Sequence, residues 1–198
     1  MTATRTRMSF QDYLTYDDGT DTRYELVKGQ AIAMTPPTWQ HIRIAKYLER
    51  LFDNEIERRN LPWVSLRDAG QRTSEAGARQ PDVAVMLDEY VSLPADNVAV
   101  LERPALLIAE IVSTNWPDDY IEKYAEYEAI GVPEYWIVDY RALGPARFLG
   151  RPKKPTLFIH YLVDGEYDAR AFSGSDRLLS PTFPELGISV EDVFSSKV

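Results

Sequence analysis

The sequence predicts an α/β protein in which helices flank a mixed sheet (an α+β arrangement), and two observations lead to this prediction. Short apolar runs typical of buried strands alternate along the chain with segments whose apolar residues have helical spacing. Their order, a helix, several strands, a helix and then further strands, suits a mixed sheet. Because 44% of the 198 residues are hydrophobic and no repeat or linker is found, residues 1–198 are interpreted as a single domain.

The first third of the chain is predicted to contain a short helix, a hairpin and a long helix. Ser9 is the expected N-cap of the short helix, and Asp12 stands three residues later as in a capping box. The Lys-Gly pair at 28–29 predicts a tight turn between two strands, and the Pro-Pro pair at 36–37 ends that hairpin. From 38 to 60 the apolar residues recur at helical spacing, which predicts a long amphipathic helix.

The remainder is predicted to be strands around one further helix. WVSLRDAGQRT is interpreted as a single strand, followed by the strands PDVAVML and LLIAEIV. A helix is expected from Pro117 to Ile130, because two aspartates lie in its first turn and Gly131 and Pro133 follow its end. EYWIVDY is another β-rich run, TLFIHYLVDGEYDARAF indicates a final hairpin, and ISVEDVF a short end piece.

The composition limits the classes of function. The sequence has no cysteine, which excludes disulfides, thiolate metal sites and a cysteine nucleophile, and it fits the reducing cytoplasm where we expect the protein. Two histidines are few for a histidine-based metal site. The apolar runs are far shorter than the ~20 residues that span a membrane. MTATRTRMSF lacks the apolar region of a signal peptide. We expect neither a membrane association nor an organic cofactor.

The net charge of −9 bears on nucleic-acid binding. A negative protein is repelled by DNA at long range, which argues against a protein that coats nucleic acid non-specifically. An enzyme with a local basic surface is still compatible with this charge. Two segments offer such a surface, the helix at 41–59 and RPKKP at 151–155.

A glutamate inside the apolar strand LLIAEIV indicates a functional site. An ionised carboxylate in a low-dielectric core costs several kcal/mol unless a partner compensates it, so Glu110 needs one. Asp82 stands at the mouth of the strand PDVAVML. If the two strands are neighbours, their carboxylates share one space, and a hard divalent ion relieves the repulsion between them. The sequence therefore suggests a Mg²⁺ site, with Mn²⁺ as an alternative ion, at Asp82 and Glu110.

The predicted helix after Glu110 supplies further charged groups. Asp119, Lys123 and Tyr127 are spaced i, i+4 and i+8, which places them on one stripe. A lysine beside a metal-bound water can orient that water or stabilise the charge that develops at phosphorus. Glu25, in RYELVKG, is a further acid that could complete the metal shell.

With these residues the sequence resembles the PD-(D/E)xK nuclease superfamily and, more closely, the Uma2 (DUF820) family of restriction-endonuclease-like proteins, common in cyanobacteria. The similar motifs are RYELVKGQ, MTPP with His41 beyond it, RQPDVAVM, EIVST, DDYIEKYAEYEAIGVPEYWIVDY and SPTFPEL. The resemblance implies a restriction-endonuclease-like core with flanking helices and an added N-terminal hairpin, and a metal bound by Asp82 and Glu110. The superfamily's usual lysine position, two residues after the second acid, holds Val112 here, and the Uma2 pattern points to Lys123 instead.

Each candidate residue also has a structural interpretation. Asp82 can cap a turn, Glu110 can bond to backbone N–H groups or pair with an arginine, and Lys123 can form a solvated ion pair. For the other candidates, packing, capping, ion pairing or backbone bonding competes with catalysis: Glu25, Gln80, Tyr127, Asp119 and His41.

The leading hypothesis is a Mg²⁺-dependent endonuclease that hydrolyses phosphodiester bonds of DNA. A homodimer is expected if both strands of a duplex are cut, because two sites related by two-fold symmetry suit the duplex. The alternative is a nuclease-fold module with weak or no catalysis that binds nucleic acid or a protein partner. Val112 and the acidic net charge favour this alternative.

Overall fold

The computed structural model describes residues 7–91 and 97–196, and these residues form two sheets and five α-helices. Of the segment MTATRTRMSF, where no signal peptide is expected, the first six residues lie outside the described residues. The helices are α1 (Phe10–Leu14), α2 (Trp39–Arg58), α3 (Lys123–Ile130), α4 (Ala146–Leu149) and α5 (Val190–Phe194). The strands are β1 (Tyr24–Val27), β2 (Gln30–Ala33), β3 (Trp63–Leu66), β4 (Gly70–Ser74), β5 (Gly77–Arg79), β6 (Val83–Leu87), β7 (Val100–Leu101), β8 (Leu107–Ile111), β9 (Glu134–Asp139), β10 (Thr156–Val163) and β11 (Glu166–Phe172).

The larger sheet has six strands in the order β11-β10-β9-β8-β6-β3. The β8–β9 pair is parallel and the other four pairings are antiparallel, so the predicted mixed sheet is confirmed. The chain returns from β8 to the parallel β9 through α3, as a parallel crossover requires. Antiparallel pairing sets Val83 of β6 opposite Ala109 of β8. Continuing this register by one residue places Asp82 opposite Glu110.

Side chains of β6 and β8 alternate between two cores, because neighbouring residues of a strand point to opposite faces of the sheet. Leu107, Ala109 and Ile111 lie in the core that includes residues of α2 and α5. Ile108 and Val112 lie in the core that includes Tyr127 of α3. The same alternation turns Glu110 towards α3.

A smaller sheet, in the order β2-β1-β5-β4-β7, contains the predicted hairpin. The hairpin turns at 28–29 as expected, and Ser9 and Asp12 form the expected capping box of α1. One prediction is wrong. WVSLRDAGQRT is not one strand, because the chain leaves the larger sheet after β3, adopts a left-handed conformation at Asp68 (φ 67°) and enters the smaller sheet as β4.

The helix predicted over 117–130 forms, but its first turn is wider than an α-helix. Asp118–Glu122 is π-helical, and α3 continues from Lys123 to a left-handed Gly131. The 3₁₀ turn Asp88–Tyr90 and the short elements β5, β7 and α4 were not predicted from the sequence. Among the described residues, no helix combines the length and apolar character needed to cross a bilayer.

His160 of β10 is buried in an aromatic cluster away from the two acids. Its ring lies 5.1 Å from that of Tyr124 and 5.8 Å from that of Tyr135, and Nδ1 donates to the Tyr135 carbonyl at 3.3 Å. Burial lowers the pKa of His160 from 6.5 to about 4, and that hydrogen bond opposes the shift only in part. Between pH 6.5 and about 4, His160 is therefore neutral in the folded protein but protonated in the unfolded chain.

We expect this difference to make part of the stability depend on pH. The unfolded state binds a proton on His160 between pH 6.5 and 4 and the folded state does not, so stability falls as pH drops through that window. Wild type should lose about 2.5 kcal/mol more than His160→Gln between pH 7.5 and 4.5 in urea titrations. Equal losses in the two proteins would contradict the assignment.

Candidate active site

Glu110, the acid inside the apolar strand, is paired on both carboxylate oxygens. Its side chain is almost fully buried, with 1% of the residue exposed. The Tyr127 hydroxyl donates to Oε1 at 2.7 Å, and Lys123 Nζ lies 3.0 Å from Oε2. Both partners come from α3, one turn apart. The sequence spacing that places Lys123 and Tyr127 on one stripe thus supplies the compensation that Glu110 requires.

Lys123 is a buried ammonium surrounded by three carboxylates. Besides Glu110, its Nζ lies 3.5 Å from Asp119 Oδ1 and 3.7 Å from Glu25 Oε1. Burial acts to lower the pKa of Lys123, but the charges of Glu110, Glu25 and Asp119 outweigh it and hold the pKa well above its usual value. Lys123 is therefore a permanent positive charge in the folded protein.

The acids around Lys123 carry more negative charge than one ammonium neutralises. Burial raises the pKa of Glu110 well above its usual value, Lys123 opposes the shift, and Asp82 adds to it. Burial likewise raises the pKa of Asp119 from 3.8 to about 6, against the opposing charge of Lys123. The site therefore favours the uptake of a proton or of a cation.

Asp82 is the more accessible acid, with 22% of its side chain exposed just before β6. Its Oδ2 accepts from the backbone N–H of Ile111 at 2.7 Å, which ties it to the residue next to Glu110. Its Oδ1 accepts from His41 Nε2 at 2.7 Å. His41 lies in the first turn of α2, where the N-cap Thr38 accepts from its backbone N–H. The backbone of Glu110 and Ile111 therefore connects two charged pairs, because Glu110 binds Lys123 and the Ile111 N–H binds the Asp82 of the Asp82–His41 pair.

Glu25 joins the site from the smaller sheet. Its Oε1 accepts from the backbone N–H of Gln80 at 2.9 Å, and its Oε2 accepts from Arg79 at 3.2 Å. Gln80 takes part through that backbone group, while its side-chain oxygen accepts from Arg23 at 2.6 Å. The structure thus connects all the predicted site residues into one network: Glu25, His41, Gln80, Asp82, Glu110, Asp119, Lys123 and Tyr127.

Arg79 of β5 is a member of the network that the sequence analysis missed. The residue is 1% exposed and forms two hydrogen bonds with the Glu126 carboxylate, at 2.8 and 2.7 Å. It also donates to Asp118 at 3.0 Å and to Glu25. Arg79 therefore links the smaller sheet to the helical segment that carries Lys123. The signal that could have found it is the run of acids in DDYIEKYAE, which contains a single cation.

The carboxylate oxygens of Asp82 and Glu110 are potential ligands of a divalent ion. Among residues 7–91 and 97–196, no three His, Asp or Glu side chains form a group that could hold a metal ion. Mg²⁺ commonly takes only one or two protein carboxylates and completes its shell with water. Each carboxylate oxygen of Asp82 and Glu110 keeps a second lone pair beside its hydrogen bond. The surplus negative charge also suits a cation, so these two residues fit a two-carboxylate site.

An open cavity of about 250 Å³ lies next to Asp82 and gives solvent access to it. Its lining residues include Met34, Pro37, His41, Arg67 and Gln80. The buried acid Glu110 is not among them. This cavity therefore gives solvent access to the network on the side of Asp82 and His41.

Comparisons with known proteins agree with the resemblance noted in the sequence. Residues 10–191 match the model of the Uma2 family, which is described as "putative restriction endonuclease". No curated protein matches. A crystal structure described as a "putative nuclease belonging to DUF820", from Anabaena variabilis, is similar with a TM-score of 0.71 and 17% identity. The match covers 95% of this chain and 98% of that one, and it shows a shared fold. The family match supports a nuclease function.

We expect Arg79 to be needed for stability as well as for the site. Arg79→Ala would leave three acids without their buried cation and should lower the free energy of unfolding by about 3–5 kcal/mol. The matched control is Arg58→Ala, which removes the pairs of a half-exposed arginine with Glu55 and Glu185 and should cost much less than Arg79→Ala, because solvent screens these pairs. Urea denaturation followed by circular dichroism measures both, and equal losses would contradict the role of Arg79.

Proposed function

We propose that this chain, which belongs to the Uma2 family, is a metal-dependent endonuclease that hydrolyses phosphodiester bonds of DNA. One observation carries the proposal. A buried carboxylate and a buried ammonium, Glu110 and Lys123, lie 3.0 Å apart next to the more accessible Asp82. Two carboxylates and a lysine are the groups that the resemblance implies for catalysis, and here three separate elements bring them together.

Asp82 and Glu110 would hold the metal, which we propose to be Mg²⁺, with Mn²⁺ as a substitute. When bound there, the ion would polarise the phosphoryl oxygen and promote the ionisation of water. The chain keeps the two carboxylates in place through separate contacts. His41 and the backbone N–H of Ile111 orient Asp82, and Tyr127 orients Glu110.

Lys123 would act through its charge and not as a base. Its raised pKa keeps the ammonium protonated at neutral pH, so it can orient the attacking water and stabilise negative charge on the phosphoryl group. A general base must be able to accept a proton near the working pH, which this lysine does not. Glu25, 3.7 Å from Nζ, would assist by holding the ammonium between the smaller sheet and Glu110.

A second function has an observation of its own. Every carboxylate oxygen of Asp82 and Glu110 already has a partner within the protein, so the chain satisfies both acids by itself. Such a site suits a module that binds nucleic acid or a protein without efficient cleavage. Binding of DNA without cleavage in Mg²⁺ and Mn²⁺ would favour this function over the nuclease.

A homodimer and a cytoplasmic location belong to the same proposal. Two copies related by a two-fold axis would present one site to each strand of a duplex. Sedimentation velocity of the purified chain tests the dimer, and a monomer at micromolar concentration would overturn it.

Cleavage of supercoiled plasmid tests the proposed activity. Wild type should nick the plasmid in Mg²⁺ or Mn²⁺ and not in EDTA, because the bound ion would polarise the phosphoryl oxygen and promote the ionisation of water. Asp82→Asn and Lys123→Ala should each reduce the rate by roughly a hundredfold or more, since each removes a charge at the reacting group.

The control for this experiment is Asp164→Asn, in the exposed turn between β10 and β11. It makes the same chemical change away from the site and should cleave like wild type. Circular dichroism of each variant separates lost chemistry from lost folding, which matters for the buried Lys123. Full activity of folded Asp82→Asn would refute the assignment.

A further inference from the structure

The outer face of α2 carries an aromatic residue and three cations in one line. Trp39, Arg43, Lys46 and Arg50 are spaced i, i+4, i+7 and i+11, so they fall within about 60° of each other around the helix axis. All four are exposed. The opposite face of the helix is buried in the core. We call these four residues the α2 stripe.

The three cations of the α2 stripe have no acidic partner in the part of the chain that the structure describes. None forms an ion pair among the residues that the structure describes. The nearby acids of α2 are engaged elsewhere, Glu49 with Arg67 and Asp53 with Ser65. In a chain with a net charge of −9, a line of uncompensated positive charge is suited to an anionic partner.

Trp39 is 82% exposed, the highest value among the exposed large hydrophobic residues of the described chain. An indole left in water forgoes the favourable free energy that burial of its apolar surface would provide. Trp39 stands two residues before His41, whose ring contacts Asp82. Trp39 and His41 both belong to the first turn of α2, so the aromatic end of the α2 stripe is at the end of the helix that carries His41, on a different side of that turn.

We propose that the α2 stripe binds a strand of the nucleic-acid substrate. Arg43, Lys46 and Arg50 would contact successive phosphates, and Trp39 would stack on an unpaired base at the end of α2 that carries His41. The stripe is about 16 Å long, and its three cations span about 10 Å of it, so their long side chains can reach successive phosphates of one strand. This inference rests on the proposed nuclease function, because it assigns the surface that guides the strand to that site.

Salt-dependent binding tests the three cations. The probe is a fluorescein-labelled 16-nucleotide oligothymidine, and its anisotropy is followed in Ca²⁺ at several salt concentrations. The combined variant Arg43→Gln, Lys46→Gln and Arg50→Gln should bind at least tenfold more weakly. Its slope of log affinity against log salt should be smaller by about 2, since each phosphate contact on a single strand contributes about 0.7.

The matched control changes the same net charge at another surface. Arg141→Gln, Arg151→Gln and Lys154→Gln replace three exposed cations in and near the basic segment 151–155. This variant should bind the oligonucleotide within twofold of wild type. An equal loss in both combined variants would mean that only the overall charge matters, and it would overturn the inference.

The stacking contact is tested separately with Trp39→Ala. The substitution should weaken binding of the oligothymidine roughly tenfold, but should have little effect on a strand whose sugars carry no bases. Phe148→Ala, another exposed aromatic residue, is the matched control and should bind like wild type. An equal effect of Trp39→Ala on both strands would refute stacking.

Two further measurements separate this inference from the proposed function. If wild type binds through the α2 stripe but does not nick plasmid, the nuclease assignment fails and the stripe stands. If wild type nicks plasmid and the combined stripe variant binds DNA like wild type, the stripe fails and the nuclease stands. A change in the sedimentation of the stripe variant, with unchanged DNA affinity, would make the stripe a protein interface and overturn the inference.

Discussion

The rest of the site depends on the ion pairs between the buried Lys123 ammonium and three acids. This ammonium is the positive charge that Glu110, Asp119 and Glu25 share, and these acids come from three different parts of the chain. Without it, their carboxylates would face one another in a medium that barely screens charge. Arg79 repeats the arrangement one layer away with Glu25, Asp118 and Glu126. Two cations thus hold five acids, and the imbalance raises the pKa of Glu110 and of Asp119.

The smaller sheet is therefore part of the site and not only an addition to the fold. β1 supplies Glu25 and β5 supplies Arg79. The ion pairs of Arg79 and those of Lys123 therefore both connect this sheet to the helical segment 118–130. A further ion pair joins Lys28, at the tip of the hairpin, to Glu122 at 2.6 Å. Because these contacts are charged and mostly buried, a small displacement of the sheet would leave acids unpaired. The sheet and the helix are consequently held in one relative position.

The sequence predicted the parts of the site that stand out locally, either through a regular spacing or as an acid at an unusual place. The position of Glu110 inside the continuous apolar run LLIAEIV marked it as buried, and helical spacing placed Lys123 and Tyr127 on one face. Arg79 has no such signal, because a three-residue strand shows no period and its partner acids stand up to 54 residues away along the chain. The split of WVSLRDAGQRT was missed because its corner at Asp68 uses neither a glycine nor a proline.

The π-helical turn at Asp118–Glu122 also affects how the chain tolerates insertions and deletions. Such a turn holds one residue more than an α-helical turn, so it rotates everything before it by about 100° relative to α3. In this turn, adjacent aspartates serve different cations, Asp118 with Arg79 and Asp119 with Lys123. Loss of a single residue there would restore an ordinary helix and keep the packing of α3. It would also change which cations Asp118 and Asp119 face. The number of residues between these aspartates and α3 is therefore as constrained as their identity.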